Sequence, residues 1–201
     1  MPLFTALAKE GRRGVRLEVM RTVIYSMSMS LDGYVNGPDG SFDWGAPDAE
    51  LHQFHNDRVR TQTHQVCGRN LYEIMRYWET PQDDWGPIEH DFAGVWNPLS
   101  KIVVSSTLTD ADLGPNARLA TASVADEVRA ITEGVVGVGG ATLASALARE
   151  DLIDDYSVFV YPVLVGGGTP FFATDVSQTS LTLVEHRQFA GGVTHLHYRR
   201  E

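Results

Sequence analysis

The strongest constraint on the fold is the alternation of short apolar strands with amphipathic helices along most of the chain. Residues Thr22–Met29 (TVIYSMSM) carry apolar side chains at every second position, which is the period of a β-strand. The segment Pro47–Arg60 opens with proline and aspartate and then repeats apolar residues at helical spacing, which predicts a helix. Strands and helices in alternation indicate an α/β fold with a mostly parallel central sheet flanked by helices.

The C-terminal segments depart from this alternation. Leu181–Phe189 and Val193–Arg199 both have strand periodicity and are joined across Gly191-Gly192, which predicts an antiparallel hairpin at one edge of the sheet. Three further predictions concern element lengths. We expect one long strand over Ile153–Val165, one helix over Asn70–Trp78 and a single helical turn over His90–Trp96.

Composition restricts the class of protein. A chain of 201 residues suits one compact domain, and its formal net charge of -10 argues against a nucleic-acid partner. No apolar run approaches the roughly 18 residues of a membrane helix, so we expect no membrane partner. Cys67 is the only cysteine and is interpreted as a small buried thiol, which makes a reducing cytoplasm the simplest location. We expect residues 1–20 to be a flexible or peripheral extension and residues 21–201 to form the domain.

Three predicted strand-to-helix junctions are rich in glycine, basic or hydroxyl residues: Gly68-Arg69-Asn70, Ser105-Ser106-Thr107 and Gly139-Gly140-Ala141-Thr142. In a parallel sheet such turns lie together at the carboxyl edge, where ligands bind. Helix N-termini offer unpaired N–H groups to anions, and glycine lets a phosphate approach the backbone. The combination predicts a phosphate-containing ligand, although each junction alone could be an ordinary turn.

Further side chains could carry chemistry. Ser26, Ser28 and Ser30, at the end of the first strand, leave room for a flat ring, or they mark a solvated edge strand. Asp32 and Glu50 could each act as the acid that assists hydride delivery to a C=N bond. Their alternatives are a turn-forming aspartate and a charge in the first turn of a helix. The histidine pairs 52/55 and 195/197 lack an evident third ligand, so no metal site is predicted.

The order of these motifs resembles the dihydrofolate reductase superfamily. The resemblance is closest to the reductase domain of bifunctional riboflavin-biosynthesis enzymes and runs from about Arg21 to the C-terminus. The segments that carry it include VIYSMSMSLDGYVNG (23–37), CGRNLY (67–72), VGGATLASAL (138–147) and VYPVLVGGGTPF (160–171).

The resemblance implies NADPH as cofactor and assigns roles by position. Met27 and Ser28 would lie beside the nicotinamide. The phosphates would face Gly68, Arg69 and Asn70, the adenosine side would face Ser105 and Ser106, and the pyrophosphate would face Gly139, Gly140, Ala141, Thr142 and Leu143. The substrate pocket would be bordered by Asp32, Trp44, Glu50, Tyr161 and Gly167.

Two departures from the family pattern matter. Ser106 stands where many members carry arginine, so NADH is not excluded. The helix carboxylate of true dihydrofolate reductases aligns with Ala49, and Glu50 fits only after a shift of one residue. We therefore expect a reductase acting on a pterin-, pyrimidine- or flavin-precursor-like molecule, with a non-catalytic nucleotide-binding module as the alternative. Because the riboflavin-type relatives resemble dimers, a homodimer is also expected.

Overall fold

The structure is a computed structural model that describes residues 20–201, so the predicted extension over residues 1–20 lies, apart from Met20, outside the described residues. A single sheet contains β1 (Thr22–Ser30), β2 (His64–Gly68), β3 (Ser100–Val104), β4 (Ala117–Leu119), β5 (Val135–Gly139), β6 (Asp155–Tyr161), β7 (Leu181–Gln188) and β8 (Thr194–Arg200). Its strand order is β4-β3-β2-β5-β1-β6-β8-β7.

The first six strands pair in parallel, whereas β8 runs antiparallel to both β6 and β7. This arrangement confirms the predicted fold class, including the C-terminal antiparallel hairpin. The hairpin turns at Gly192, which has a φ of 80°, a conformation that favours glycine.

The described part of the chain has five α-helices around the sheet: α1 (Ala49–Arg60), α2 (Arg69–Met75), α3 (Pro87–Trp96), α4 (Val124–Ala130) and α5 (Ala141–Arg149). Asp48 caps α1, since its Oδ1 accepts the backbone N–H of Leu51 at 2.8 Å. No helix within residues 20–201 is long and apolar enough to cross a membrane.

Three predicted lengths were wrong. The helix predicted over Asn70–Trp78 ends as α2 at Met75, and a 3-10 turn follows over Arg76–Glu79. The helical turn predicted over His90–Trp96 is a longer helix that begins at Pro87. Its N-terminus is capped by a hydrogen bond from Gly86 N to Glu89 Oε2 (3.0 Å). The strand predicted as far as Val165 stops at Tyr161, because Pro162 has no N–H to donate to the ladder.

The two faces of the sheet carry side chains of different size and polarity. Val136 and Val138 of β5 belong to the main apolar core, which α4 and α5 cover. On the opposite face, the same strand presents Gly137 and Gly139 to a cavity, and β1 presents Ser26 and Ser28 to it. The sheet therefore leaves space beneath α1.

Candidate functional site

A cavity of about 770 Å³ lies between the small-residue face of the sheet and helices α1, α2 and α3. Its volume falls within the range of about 300–1,000 Å³ that is usual for small-molecule sites. The predicted site residues that line it are Met27, Ser28, Trp44, Gly68, Arg69, Asn70, Gly139, Gly140, Ala141, Thr142 and Leu143.

The turn between β5 and α5 forms one wall of this cavity. Gly140 has a φ of 103°, and a Cβ added there would meet no atom within 4 Å, so this side of the turn is open. The first internal hydrogen bond of α5 runs from Ala144 N to Gly140 O (3.0 Å), and no side chain caps the helix. The amides of Ala141, Thr142 and Leu143 therefore have no partner within the helix and can bind an anion.

The turn between β2 and α2 forms the neighbouring wall. Arg69 is exposed, and its Nη1 donates a hydrogen bond to Thr107 Oγ1 at 3.2 Å. This contact joins the turn that follows β2 to the turn that follows β3. Since β2 also pairs with β5, all three predicted junctions lie at one edge of the sheet.

Ser105 and Ser106 lie beside the cavity rather than in its wall, where Val104 takes part instead. The Ser105 hydroxyl oxygen accepts the backbone N–H groups of Thr107 (3.1 Å) and Leu108 (3.0 Å). That oxygen is therefore occupied by its own turn.

Of the residues predicted to border the substrate, Trp44 lines the cavity, whereas Tyr161 and Gly167 do not. Trp44 lines the cavity, while Tyr161 lies behind it with the two ring centroids 5.4 Å apart. The Tyr161 hydroxyl donates to Gly45 O at 3.0 Å, so this tyrosine supports the turn that carries Trp44. Gly167 does not line the cavity, and a Cβ there would lie 3.5 Å from Pro38.

Neither predicted acid is among the residues that line the cavity, and the prediction that Asp32 and Glu50 border the substrate stays a prediction. The Asp32 carboxylate accepts the backbone N–H groups of Val165 (3.2 Å) and Gly166 (2.8 Å). Hydrogen bonds from the Ser30 side chain and from these amides lower the pKa of Asp32, so it is ionised and ties two loops together. Glu50 forms an exposed ion pair with Arg187 at 2.7 Å.

Two histidines that the sequence suggested only as a weak metal pair line the cavity from α1. The His55 ring lies 4.4 Å from the ring of Phe159, and burial lowers the pKa of His55 to about 4. Burial also lowers the pKa of His52, against the opposing effect of Glu89. Both imidazoles are therefore neutral at pH 7. Their spacing with Val59 on one helical face was the signal that could have identified this wall.

The charge of the cavity wall is low. Among the described residues that line it, Arg69 is the only lysine or arginine, and no aspartate or glutamate is present. Within residues 20–201, no three potential metal ligands come together. The site combines a turn suited to phosphate with an uncharged region suited to a ring.

Comparisons with known proteins agree with this architecture. The chain is 30% identical over 181 residues to the uncharacterized protein YwjB of Bacillus subtilis, covering 90% of this chain and 98% of that protein.

Two solved structures share the fold. One is a diaminohydroxyphosphoribosylaminopyrimidine deaminase/5-amino-6-(5-phosphoribosylamino)uracil reductase from Thermotoga maritima (TM-score 0.64, 16% identity). The match covers 90% of this chain and 57% of that one. The other is dihydrofolate reductase from Enterococcus faecalis, complexed with NADP(H) (TM-score 0.57, 15% identity, 90% and 96% covered).

The model of the RibD C-terminal domain matches residues 21–195, which is most of the chain. The chain therefore belongs to the RibD C-terminal domain family, and it shares the fold of dihydrofolate reductase.

Proposed function

We propose that this protein is an NADPH-dependent reductase that transfers hydride to a small heterocyclic molecule. The observation that carries the proposal is the open side of Gly140, which shares one cavity with Arg69 and with the serines of β1. The dinucleotide in the structure of Enterococcus faecalis dihydrofolate reductase supports the choice of cofactor.

The residues at this edge fit a nicotinamide dinucleotide. The amides of Ala141, Thr142 and Leu143 would hold the pyrophosphate, and Arg69 would pair with a phosphate. Met27 and Ser28 would border the nicotinamide. When bound, the reduced dinucleotide supplies a hydride to the carbon of a C=N bond.

The residues of this chain would orient the ring. The nitrogen of the C=N bond must gain a proton to balance the hydride. Because the described cavity wall contains no carboxyl group and both its histidines are neutral, we assign this proton to water entering from the open side. The proposal assigns no part in this step to Asp32 or Glu50.

Titration of the protein with NADPH and with NADH tests the proposal. Trp44, Trp78 and Trp96 line the cavity, so saturable quenching of tryptophan emission is expected, with the tighter binding for NADPH. Absence of saturable binding of either dinucleotide would refute the proposal.

Turnover distinguishes the reductase from a non-catalytic nucleotide-binding module, which the lack of a carboxyl group in the wall favours as second candidate. Loss of NADPH absorbance should be followed with dihydropterin and aminopyrimidinone substrates. Saturable binding of NADPH with no turnover of either class would favour the binding module.

The homodimer also belongs to this proposal. In the described part of the chain, β7 is one of the two edge strands, and its Leu181, Leu183 and Val184 are exposed. An apolar edge strand of this kind pairs readily with another chain. Light scattering at micromolar concentration should give the mass of a dimer, and a monomer mass would contradict the expectation.

A further inference from the structure

The part of the cavity beneath α1 is walled by aromatic rings. The His52 ring lies 5.6 Å from that of Trp78 and 5.8 Å from that of Phe92, and the rings of Trp78 and Phe92 are 4.7 Å apart. All three side chains line the cavity. Such a wall favours a flat ring that stacks against or packs on it edge to face.

The cations near this wall are engaged elsewhere. Arg58 pairs with Glu185 (3.3 Å), Arg60 with Asp91 (2.7 Å) and Arg187 with Glu50 (2.7 Å), and none of the three lines the cavity. No positive side chain of α1 therefore faces the space beneath it.

Arg69, the one cation in the described wall, takes no part in the contact between α1 and β6. It follows β2 and is bonded to Thr107 beyond β3, whereas His55 on α1 packs on Phe159 of β6. Since β5 and β1 lie between β2 and β6, the strand that leads to Arg69 and the strand that carries Phe159 are three strand spacings apart, or about 14 Å at the usual distance between strands.

The floor of the cavity beneath α1 offers neutral hydrogen-bonding groups. Gln62 and Gln65 reach across Gly137, where an added Cβ would collide with both side-chain amides. Ser26 also lines this floor. Amides and hydroxyls recognise the donors and acceptors at the edge of an uncharged heterocycle.

Building on the proposed reductase function, we propose that the substrate is an uncharged, planar heterocycle that carries no phosphate group. A phosphate placed beneath α1 would lose its hydration without gaining a cation or a set of free backbone amides, which strongly disfavours its binding. In this respect the chain would differ from the Thermotoga maritima protein, whose named substrate is phosphoribosylated.

Two matched pairs of ligands test this inference on the full protein. They are 5-amino-6-(ribitylamino)uracil with and without its 5′-phosphate, and 6-hydroxymethylpterin with and without a phosphate ester. NADPH is titrated first, and each ligand is then titrated by calorimetry into protein saturated with NADP⁺. We expect the unphosphorylated member of at least one pair to bind about tenfold or more tightly than its phosphate.

The possible outcomes separate the two proposals. Saturable binding of NADPH without tighter binding of the unphosphorylated member in either pair would overturn the inference alone. Binding of NADPH with no binding of any of the four ligands would overturn it as well. Failure to bind NADPH would remove the proposed function, and this inference with it.

A charge inserted into the wall gives a second measurement. His52 is half-buried on α1, so His52→Arg would place a guanidinium beneath the helix, and His52→Gln is the neutral control. We expect H52R, but not H52Q, to improve binding of the phosphorylated ligand about tenfold relative to its partner. If a correctly folded H52R, judged by its melting curve, kept the discrimination of the parent protein, the inference would be contradicted.

Discussion

Replacing Gly140 by alanine would place a methyl group on the open side of the turn that leads into α5. In the free protein the methyl group meets no atom within 4 Å, so the cost to folding is backbone strain at a φ of 103°, about 1–3 kcal/mol. The cost to NADPH binding is separate, because the methyl group would keep the pyrophosphate away from the helix amides. Loss of one hydrogen bond to a charged group costs about 1.5–3 kcal/mol, which weakens binding by between about tenfold and about a hundredfold.

Fluorescence titration with NADPH and urea denaturation measure these two effects independently. Gly192→Ala is the matched control, since Gly192 also has positive φ (80°) but lies outside the cavity wall, with its added Cβ 3.4 Å from Pro162. We expect both variants to lose stability and only Gly140→Ala to lose affinity. Unchanged NADPH affinity in Gly140→Ala, or an equal loss in Gly192→Ala, would refute the reasoning.

Three further predictions concern buried titratable groups. Hydrogen bonds from Arg118 and backbone amides lower the pKa of Glu127 from 4.5 to about 2, so the stabilisation is present above pH 4.5 and is lost as the pH falls toward 2. Arg118 is partly exposed, so solvent screens its interaction with Glu127 and the contribution is smaller than the full pKa shift would give. Glu127→Gln should therefore lower the free energy of unfolding at pH 7 by about 2 kcal/mol. Equal urea midpoints would contradict this. Burial lowers the pKa of His195 from 6.5 to about 3, so this histidine makes stability decline as the pH falls below 6.5. The slope is about 1.4 kcal/mol per pH unit, and His195→Gln should flatten the decline, whereas an unaltered pH profile would disprove the assignment. Burial raises the pKa of Cys67 to about 12, so iodoacetamide at pH 8 should label the protein only as fast as it unfolds, and rapid labelling of the native protein would count against this.

The features predicted successfully from the sequence are those set by local patterns. The alternation in β1 determines which side chains enter the core, and Val23 and Tyr25 are buried there as the period requires. The turn at Gly139-Gly140 was predictable because glycine and small residues mark a strand-to-helix junction that adopts positive φ.

The roles of the two carboxylates were not predictable, because their partners are distant in the sequence. Asp32 binds a backbone amide 133 residues further along the chain, and Glu50 pairs with an arginine 137 residues away. A local pattern shows that a carboxylate occupies a loop or a first helical turn, but not which distant group neutralises it.

The histidines of α1 were missed for a related reason. Their spacing placed them on one helical face, but only the packing of α1 above Gly137 and Phe159 shows that this face covers a cavity. If large apolar side chains had filled the space beneath α1, the same spacing of residues would mark an ordinary buried face of a helix.

Glycines and serines in the floor beneath α1 also affect how this protein could change over evolution. Since the glycines and serines contribute little bulk there, the outline of the space depends in part on His52, His55 and Val59, which project from α1. Single replacements on that face of α1 could therefore alter which molecule is accepted without disturbing the turn at Gly140. If this turn binds the dinucleotide as proposed, the same fold could accept new substrates while the hydride donor stays the same.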